Sequence, residues 1–157
     1  MENIERGVIK NSEYIIEYYN RNGKKITNLE LQKLAYFLEA IYMVSTDEEY
    51  LFEEEFAAWN FGPVNFEIYK HYKNFGRIPI DLEKEVNINP QNLKYIENLF
   101  ELFKDFTATQ LVNLSHSEGS PWHTIYKKNN GSIPRDEVIS KSETKKWFTS
   151  LVKKVDE

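Results

Sequence analysis

Thr27–Val44, TNLELQKLAYFLEAIYMV, is the stretch whose reading decides the fold. Between Leu31 and Val44 only Gln32, Lys33 and Glu39 are strongly polar. Leu31, Leu34, Ala35, Leu38, Ile41 and Tyr42 recur at helical spacing, and Leu29, Phe37 and Met43 carry apolar character round much of the remaining circumference. A helix apolar on nearly every side is buried among other elements. Thr27 with Glu30 three residues on is a capping box: the hydroxyl accepts from an orphan amide, and the carboxylate accepts from the cap's own amide. At about 18 residues the stretch is too polar, and too closely flanked by charge, to span a bilayer. It is expected to be the central core helix.

Upstream, Ile4–Arg21 reads as a first helix, with Val8, Ser12, Ile15 and Tyr19 on one face and Ile16 and Tyr18 widening it. Asn22-Gly23 ends it, and Lys24 and Lys25 read as solvated connector charges. Downstream, Ser45–Glu55 is acidic and reads as a solvated loop, with an interaction patch as the alternative. Phe56–Phe61, FAAWNF, reads as an aromatic strand punctuated by Gly62-Pro63. Asn65 caps a helix carrying Phe66, Tyr69 and Tyr72 towards Phe75-Gly76. Residues 78–88 alternate weakly and are expected to supply strands pairing with FAAWNF. Asn89-Pro90 opens a second strong amphipathic helix through Leu93, Ile96, Phe100 and Phe103. Thr107 with Gln110 caps the next, to about Ser117, and Ser120-Pro121 opens a short one with Trp122, Ile125 and Tyr126. Arg135–Ser140 reads as one or two helical turns, and Ser142–Val155 as a final helix with Trp147, Leu151 and Val155 in line. The expectation is a mainly α single domain over residues 1–157. It has six or seven helices around a buried one, a small β pair near 56–61 and 78–88, and a C-terminal helix in 140–157.

A chain of 157 residues is long enough for one real core. A content of 15% aromatic residues argues against disorder. The net charge of −5 recruits neither nucleic acid nor an anionic membrane surface. With no cysteine, disulfides, thiolate metal sites and Cys nucleophiles are excluded. The N-terminal residues show no signal-peptide pattern, so a cytoplasmic location is expected.

Residues able to carry chemistry are few. His116 and His123 bracket SHSEGSPWH, which includes Glu118, but their spacing matches no standard ligand pattern. His71, in YKHYK, reads as a surface residue. Ser115 and Ser117 flank His116, yet sequence neighbours on a helix point apart, and no GxSxG or glycine-rich phosphate loop is present. No carboxylate pair stands in an apolar context suited to acid–base work. Lys141, Lys145, Lys146, Lys153 and Lys154 read as a solvated helix face, with weak nucleic-acid contact as the sharper alternative. No catalytic, cofactor or metal residues are assigned.

Three segments taken in order are more specific. Leu31–Met43, then FAAWNFGPV at 56–64 with Tyr69 following, then LVNLSHSEGSPW at 111–122 resemble the Panacea domain, the SocA-like antitoxin family. The matching residues are Lys33, Leu34 and Tyr36; Ala58, Trp59, Gly62, Pro63, Val64 and Tyr69; and Leu114, His116, Pro121 and Trp122, with Ser115 where Thr is expected. The resemblance covers about Ile4 to Ile139 and implies a mostly helical domain without catalysis or cofactor. Members neutralise varied toxins by direct binding, and at least one kind delivers its toxin to a cytoplasmic protease as an adaptor. An appended DNA-binding module, carried by some members, has no counterpart here.

The resemblance therefore implies an antitoxin whose partner is a toxin, with an acidic Glu48–Glu55 region suited to steering a basic one. The alternative is a phage or mobile-element inhibitor of a host defence protein on the same scaffold. A His116/Glu118 enzyme and a nucleic-acid binder are the readings from other classes. Trp59, Tyr69 and Trp122 are expected near the core helix, with His116 hydrogen-bonded at that junction.

Overall fold

A computed structural model describes residues 3–156, with side chains described up to Lys153. The elements run α1 (Val8–Arg21), α2 (Asn28–Thr46), β1 (Phe56–Trp59), β2 (Gly62–Asn65) and α3 (Phe66–Tyr72), followed by a 3-10 turn (Lys73–Phe75). Then come α4 (Pro90–Phe103), α5 (Ala108–Ser115), α6 (Pro121–Lys128), β3 (Glu137–Ile139) and α7 (Lys141–Asp156). The protein is mainly α with a small three-stranded antiparallel sheet of order β2-β1-β3.

α2 is the central helix. Every residue from Leu31 to Met43 is buried, and α1, α4, α5, α7 and β2 all pack on it. Its capping box forms: Glu30 N donates to Thr27 Oγ1 at 3.3 Å, and Thr27 N donates to Glu30 Oε1 at 3.1 Å. Leu29 departs from the expectation; it sits in the first turn, before the buried stretch, and is exposed. Phe37 stacks on Phe103 of α4 at 4.8 Å, tying the two strongest apolar helices together.

α1 starts at Val8, not Ile4. The backbone of Glu5 is taken by α4 instead: Glu5 N donates to Asn92 Oδ1, and Asn92 Nδ2 donates to Glu5 O, both at 2.9 Å. Gly23, at φ +84°, closes α1. Lys24 is no free connector charge, since its Nζ donates to the carbonyls of Lys104 and Phe106 at 2.7 and 3.1 Å beyond the end of α4.

The sheet differs from expectation in its strands. Gly62-Pro63 does not end the β element but begins β2, after a two-residue turn at Asn60-Phe61. Proline is tolerated because β2 lies at the sheet's margin, where a missing donor breaks no ladder. Residues 78–88 form no strand: Pro79 interrupts them, Ile80 N donates to Ile26 O at 2.8 Å, and Lys84 pairs with Glu13 of α1. The partner of β1 is β3, with Ala57 opposite Val138 and Phe56 opposite Ile139. The expected helical turns at Arg135–Ser140 are therefore replaced by a strand, favoured by β-branched Val138 and Ile139 and by an available partner.

The acidic 45–55 segment is not wholly solvated, for Leu51 and Phe52 are buried. Their amides donate to Glu39 Oε2 at 3.1 and 2.8 Å. Lys141, at the start of α7, is half-buried and bonds Glu39 at 2.8 Å and the carbonyl of Glu54 at 2.9 Å. Trp147 lies in the core and Leu151 beside it; Val155 and Lys154 have side chains outside the described residues. Among the described residues no helix is long and apolar enough to cross a membrane.

Candidate functional site

The signature residues meet where α2, the β1–β2 hairpin, α5 and the start of α6 come together. Lys33 projects from the second turn of α2, a position where a lysine stem packs well but its amine is far from water. It has no exposed surface, and its Nζ donates to Pro63 O at 2.8 Å. Burial lowers its pKa to about 7. Its neighbour Gln32 works as a backbone mimic for β2: Nε2 donates to Asn65 O at 3.1 Å, and Asn65 N donates to Gln32 Oε1 at 2.8 Å. Asn65 then caps α3, accepting from Glu67 N and Ile68 N at 3.0 and 3.2 Å.

Gly62 is required here by space as well as by backbone conformation. It lies at φ +108°, and a Cβ added there would stand 2.7 Å from Ser115 Oγ and 2.8 Å from Lys33 Cε. Ser115 is itself buried and donates to Val112 O at 2.7 Å. Pro121 is the first residue of α6, after the Ser120 cap. That start swings Trp122 inward, and its Nε1 donates to Trp59 O at 2.7 Å. The His116 ring stacks flat on Trp122, with centroids 3.5 Å apart and planes 6° apart.

His116 is not hydrogen-bonded as expected. Its Nε2 is buried without a partner among the described residues. Its pKa is lowered to about 4, first by burial, then by the charges of Lys33 and His123. The imidazole is therefore neutral at pH 7 and serves as a flat surface for Trp122. Glu118 lies exposed beside Glu143 and Lys146. His71 is exposed against Tyr72, and His123 stacks on Tyr126 at 6.1 Å. Among the described residues no group of three or more His, Asp or Glu side chains is placed to hold a metal.

Two signature residues of α2 do other work. Leu34 is core. Tyr36 points to α7, where its hydroxyl shares a 2.8 Å hydrogen bond with Thr144 Oγ1; burial raises its pKa. Val64 is buried beneath the hairpin's two clefts.

Trp59 stands half-buried at the surface. Its Nε1 donates to Asp136 Oδ1 at 3.0 Å, the Arg135 guanidinium lies 4.0 Å from the ring centroid, and Tyr69 meets it edge-on at 5.0 Å. It separates two open clefts. One of about 430 Å³ is lined by Leu29, Gln32, Phe61, Tyr69, Ile133 and Arg135. The other, of about 500 Å³, is lined by Ala57, Val64 and Phe66, with Glu54, Glu55, Glu67 and Asp136 around them.

Sequence reasoning missed Gln32, the contact of Ser115 with Gly62 and the Glu39–Lys141 pair; the Asn65 cap was foreseen and forms, but its pairing with Gln32 was not. The signal for Gln32 and Glu39 was present: a polar residue inside a helix buried on all sides must find a partner. Ser115 stands inside the third motif segment, but its role is set by the close approach of Gly62, which the local sequence does not show.

The family model described as Antitoxin SocA-like, Panacea domain, matches residues 31–123. The chain is 32% identical over 113 residues to the curated protein Antitoxin SocA of Caulobacter vibrioides (strain NA1000 / CB15N), an overlap of 64% of this chain and 60% of that relative. The chain thus matches well under the full length of that relative. No solved structure matches. Residues 31–123 make up more than half of the chain and contain every signature residue from Lys33 to Trp122. The chain therefore belongs to the SocA-like Panacea domain family.

Proposed function

We infer that this protein is an antitoxin that neutralises a partner toxin by direct protein–protein binding, with no reaction of its own. The observation that carries this reading is its 32% identity to Antitoxin SocA within a shared family. The geometry is in keeping with it. Lys33 and His116, the signature residues best suited to chemistry, are turned into the junction between α2, β2 and α6. The groups left to solvent are of the kind that dominate protein interfaces: Phe61 is 67% exposed and Phe66 56%, on either side of Trp59.

The test is co-expression with the product of the adjacent gene. Relief of that product's toxicity and co-purification with it are expected; toxicity unrelieved by this protein overturns the reading. The same experiment separates two modes of action. Occlusion leaves the toxin's half-life unchanged, whereas delivery to a cytoplasmic protease shortens it.

A further inference from the structure

The outer face of the sheet is apolar, open at Val138, half-buried at Ala57 and Trp59, and covered at Val64. Residues opposite one another in an antiparallel pair share a face. Val138, Ala57 and Val64 therefore form a row across β3, β1 and β2, and Trp59 continues it towards the turn. Phe56 and Ile139, on the other face, are in the core. Val138 is 56% exposed, and Phe66, the first residue of α3, sets an equally exposed ring beside the row.

The rim of this face is acidic. Glu54, Glu55, Glu67 and Asp136 all line the cleft over Ala57, Val64 and Phe66. Lys70 answers Glu67 at 3.2 Å, and Asp136 accepts from Trp59. Glu54 and Glu55 pair with no cation among the described residues, and Glu54 Oε1 is buried without a hydrogen-bond donor. A buried carboxylate oxygen left without a donor is costly, and a donor arriving from outside removes that cost.

We propose that this sheet face is a docking surface for a protein segment that presents an aliphatic or aromatic anchor flanked by Lys or Arg. The proposal rests on the reading of the protein as a binding module and adds the place of binding and the chemistry of the occupant. The Val138–Ala57–Val64 row with Trp59 and Phe66 supplies the apolar seat, and the carboxylates select cationic flanks and raise the on-rate. The charge pattern argues against two other occupants. A second copy using the same face would bring the two acidic rims together, and nucleic acid would bring phosphates against them.

The experiment selects short random peptides, displayed on phage, against the full chain, and then measures the affinity of the enriched peptides at low and high salt. The expected consensus is a Leu, Ile or Phe anchor with neighbouring Lys or Arg. Affinity should fall about tenfold or more in Phe66→Ala and in Glu55→Lys, weaken with salt, and stay unchanged in Leu102→Ser, an exposed site on α4. Both test positions are exposed, so a melting curve checks that the fold is retained. The proposal is overturned by absence of enrichment, by a consensus without cations, by affinity unchanged in Phe66→Ala, or by self-association that Phe66→Ala abolishes. Toxin relief in cells is read separately. If Phe66→Ala and Glu55→Lys relieve toxicity as well as the wild type, the docking face is wrong and the antitoxin reading stands. If basic peptides bind this face but no toxicity is relieved, the antitoxin reading fails and the docking face stands.

Discussion

Lys33 Nζ donates to the carbonyl of Pro63 at 2.8 Å from a side chain with no exposed surface. One contact thus joins the second turn of α2 to the start of β2, and it places an ionisable amine where water cannot solvate it. With a folded-state pKa of about 7, below the ordinary 10.5, the amine binds its proton less readily in the folded chain than in the unfolded one. Between those values the unfolded state holds more protons, so stability rises with pH through the window. The rise approaches about 1.4 kcal/mol per pH unit at most. Urea unfolding at pH 7 and pH 9 should show it, and Lys33→Met should flatten it. Equal slopes in the two proteins would mean that Lys33 is charged in the folded state throughout.

Gly62→Ala is expected to destabilise by about 2–4 kcal/mol, from a left-handed φ combined with contacts on Ser115 Oγ and Lys33 Cε. Ser115→Ala should recover part of that loss when combined with it. The coupling is read from a double-mutant cycle on urea midpoints, and strict additivity would show that backbone conformation alone is at fault.

His116 predicts a second pH effect, in acid. Its folded-state pKa of about 4 lies below the ordinary 6.5, so the unfolded chain takes up the proton first as pH falls. The stability its neutral form contributes is complete above about 6.5 and is lost on acidification towards 4. His116→Phe keeps a ring against Trp122 and should move the acid-unfolding midpoint to lower pH. His116→Ala should lower the melting temperature by losing the stack, at a cost of about 1 kcal/mol beyond area.

The buried pair of Glu39 and Lys141 is expected to respond unequally to its two halves. Burial raises the Glu39 pKa, and the Lys141 ammonium opposes that rise, together with the amides of Phe52 and Leu51. Lys141→Met leaves a buried carboxylate with only those amides and should cost about 3–5 kcal/mol. Combining it with Glu39→Gln, which still accepts from the amides, should restore much of the loss. A double variant as unstable as Lys141→Met alone would show that the ammonium's bond to the Glu54 carbonyl matters more than the carboxylate.

The helices were legible because their signals are local. Thr27 and Glu30, Asn89 and Pro90, and Thr107 and Gln110 announce their helix starts within four residues, and each cap forms. The sheet was not legible, because a strand is completed by its partner. Val138 and Ile139 read as a possible turn of helix until β1, some eighty residues away, supplies the ladder. Gly62-Pro63 reads as punctuation, whereas the structure uses the glycine for close approach and tolerates the proline at a sheet margin. The same distance hid the partners of Lys24, Glu39 and Lys141, charged residues whose local context suggested solvent or gave no sign of a pair. The structure brings Lys33, Gly62, Pro63, His116 and Trp122 to one junction, but the expected His116 hydrogen bond is absent among the described residues: its ring is stacked instead.

The late position of β3 and Lys141 has a consequence for synthesis. α2 and the β1–β2 hairpin leave the ribosome long before the residues that complete them. Until residues 137–148 emerge, β1 lacks its second neighbour, Glu39 lacks its ammonium, and Phe37 lacks Trp147 and Phe148. Folding that begins at the N-terminal end of a nascent chain therefore waits here on residues 137–148. A chain interrupted before Lys141 would carry at its centre a buried carboxylate without its ammonium.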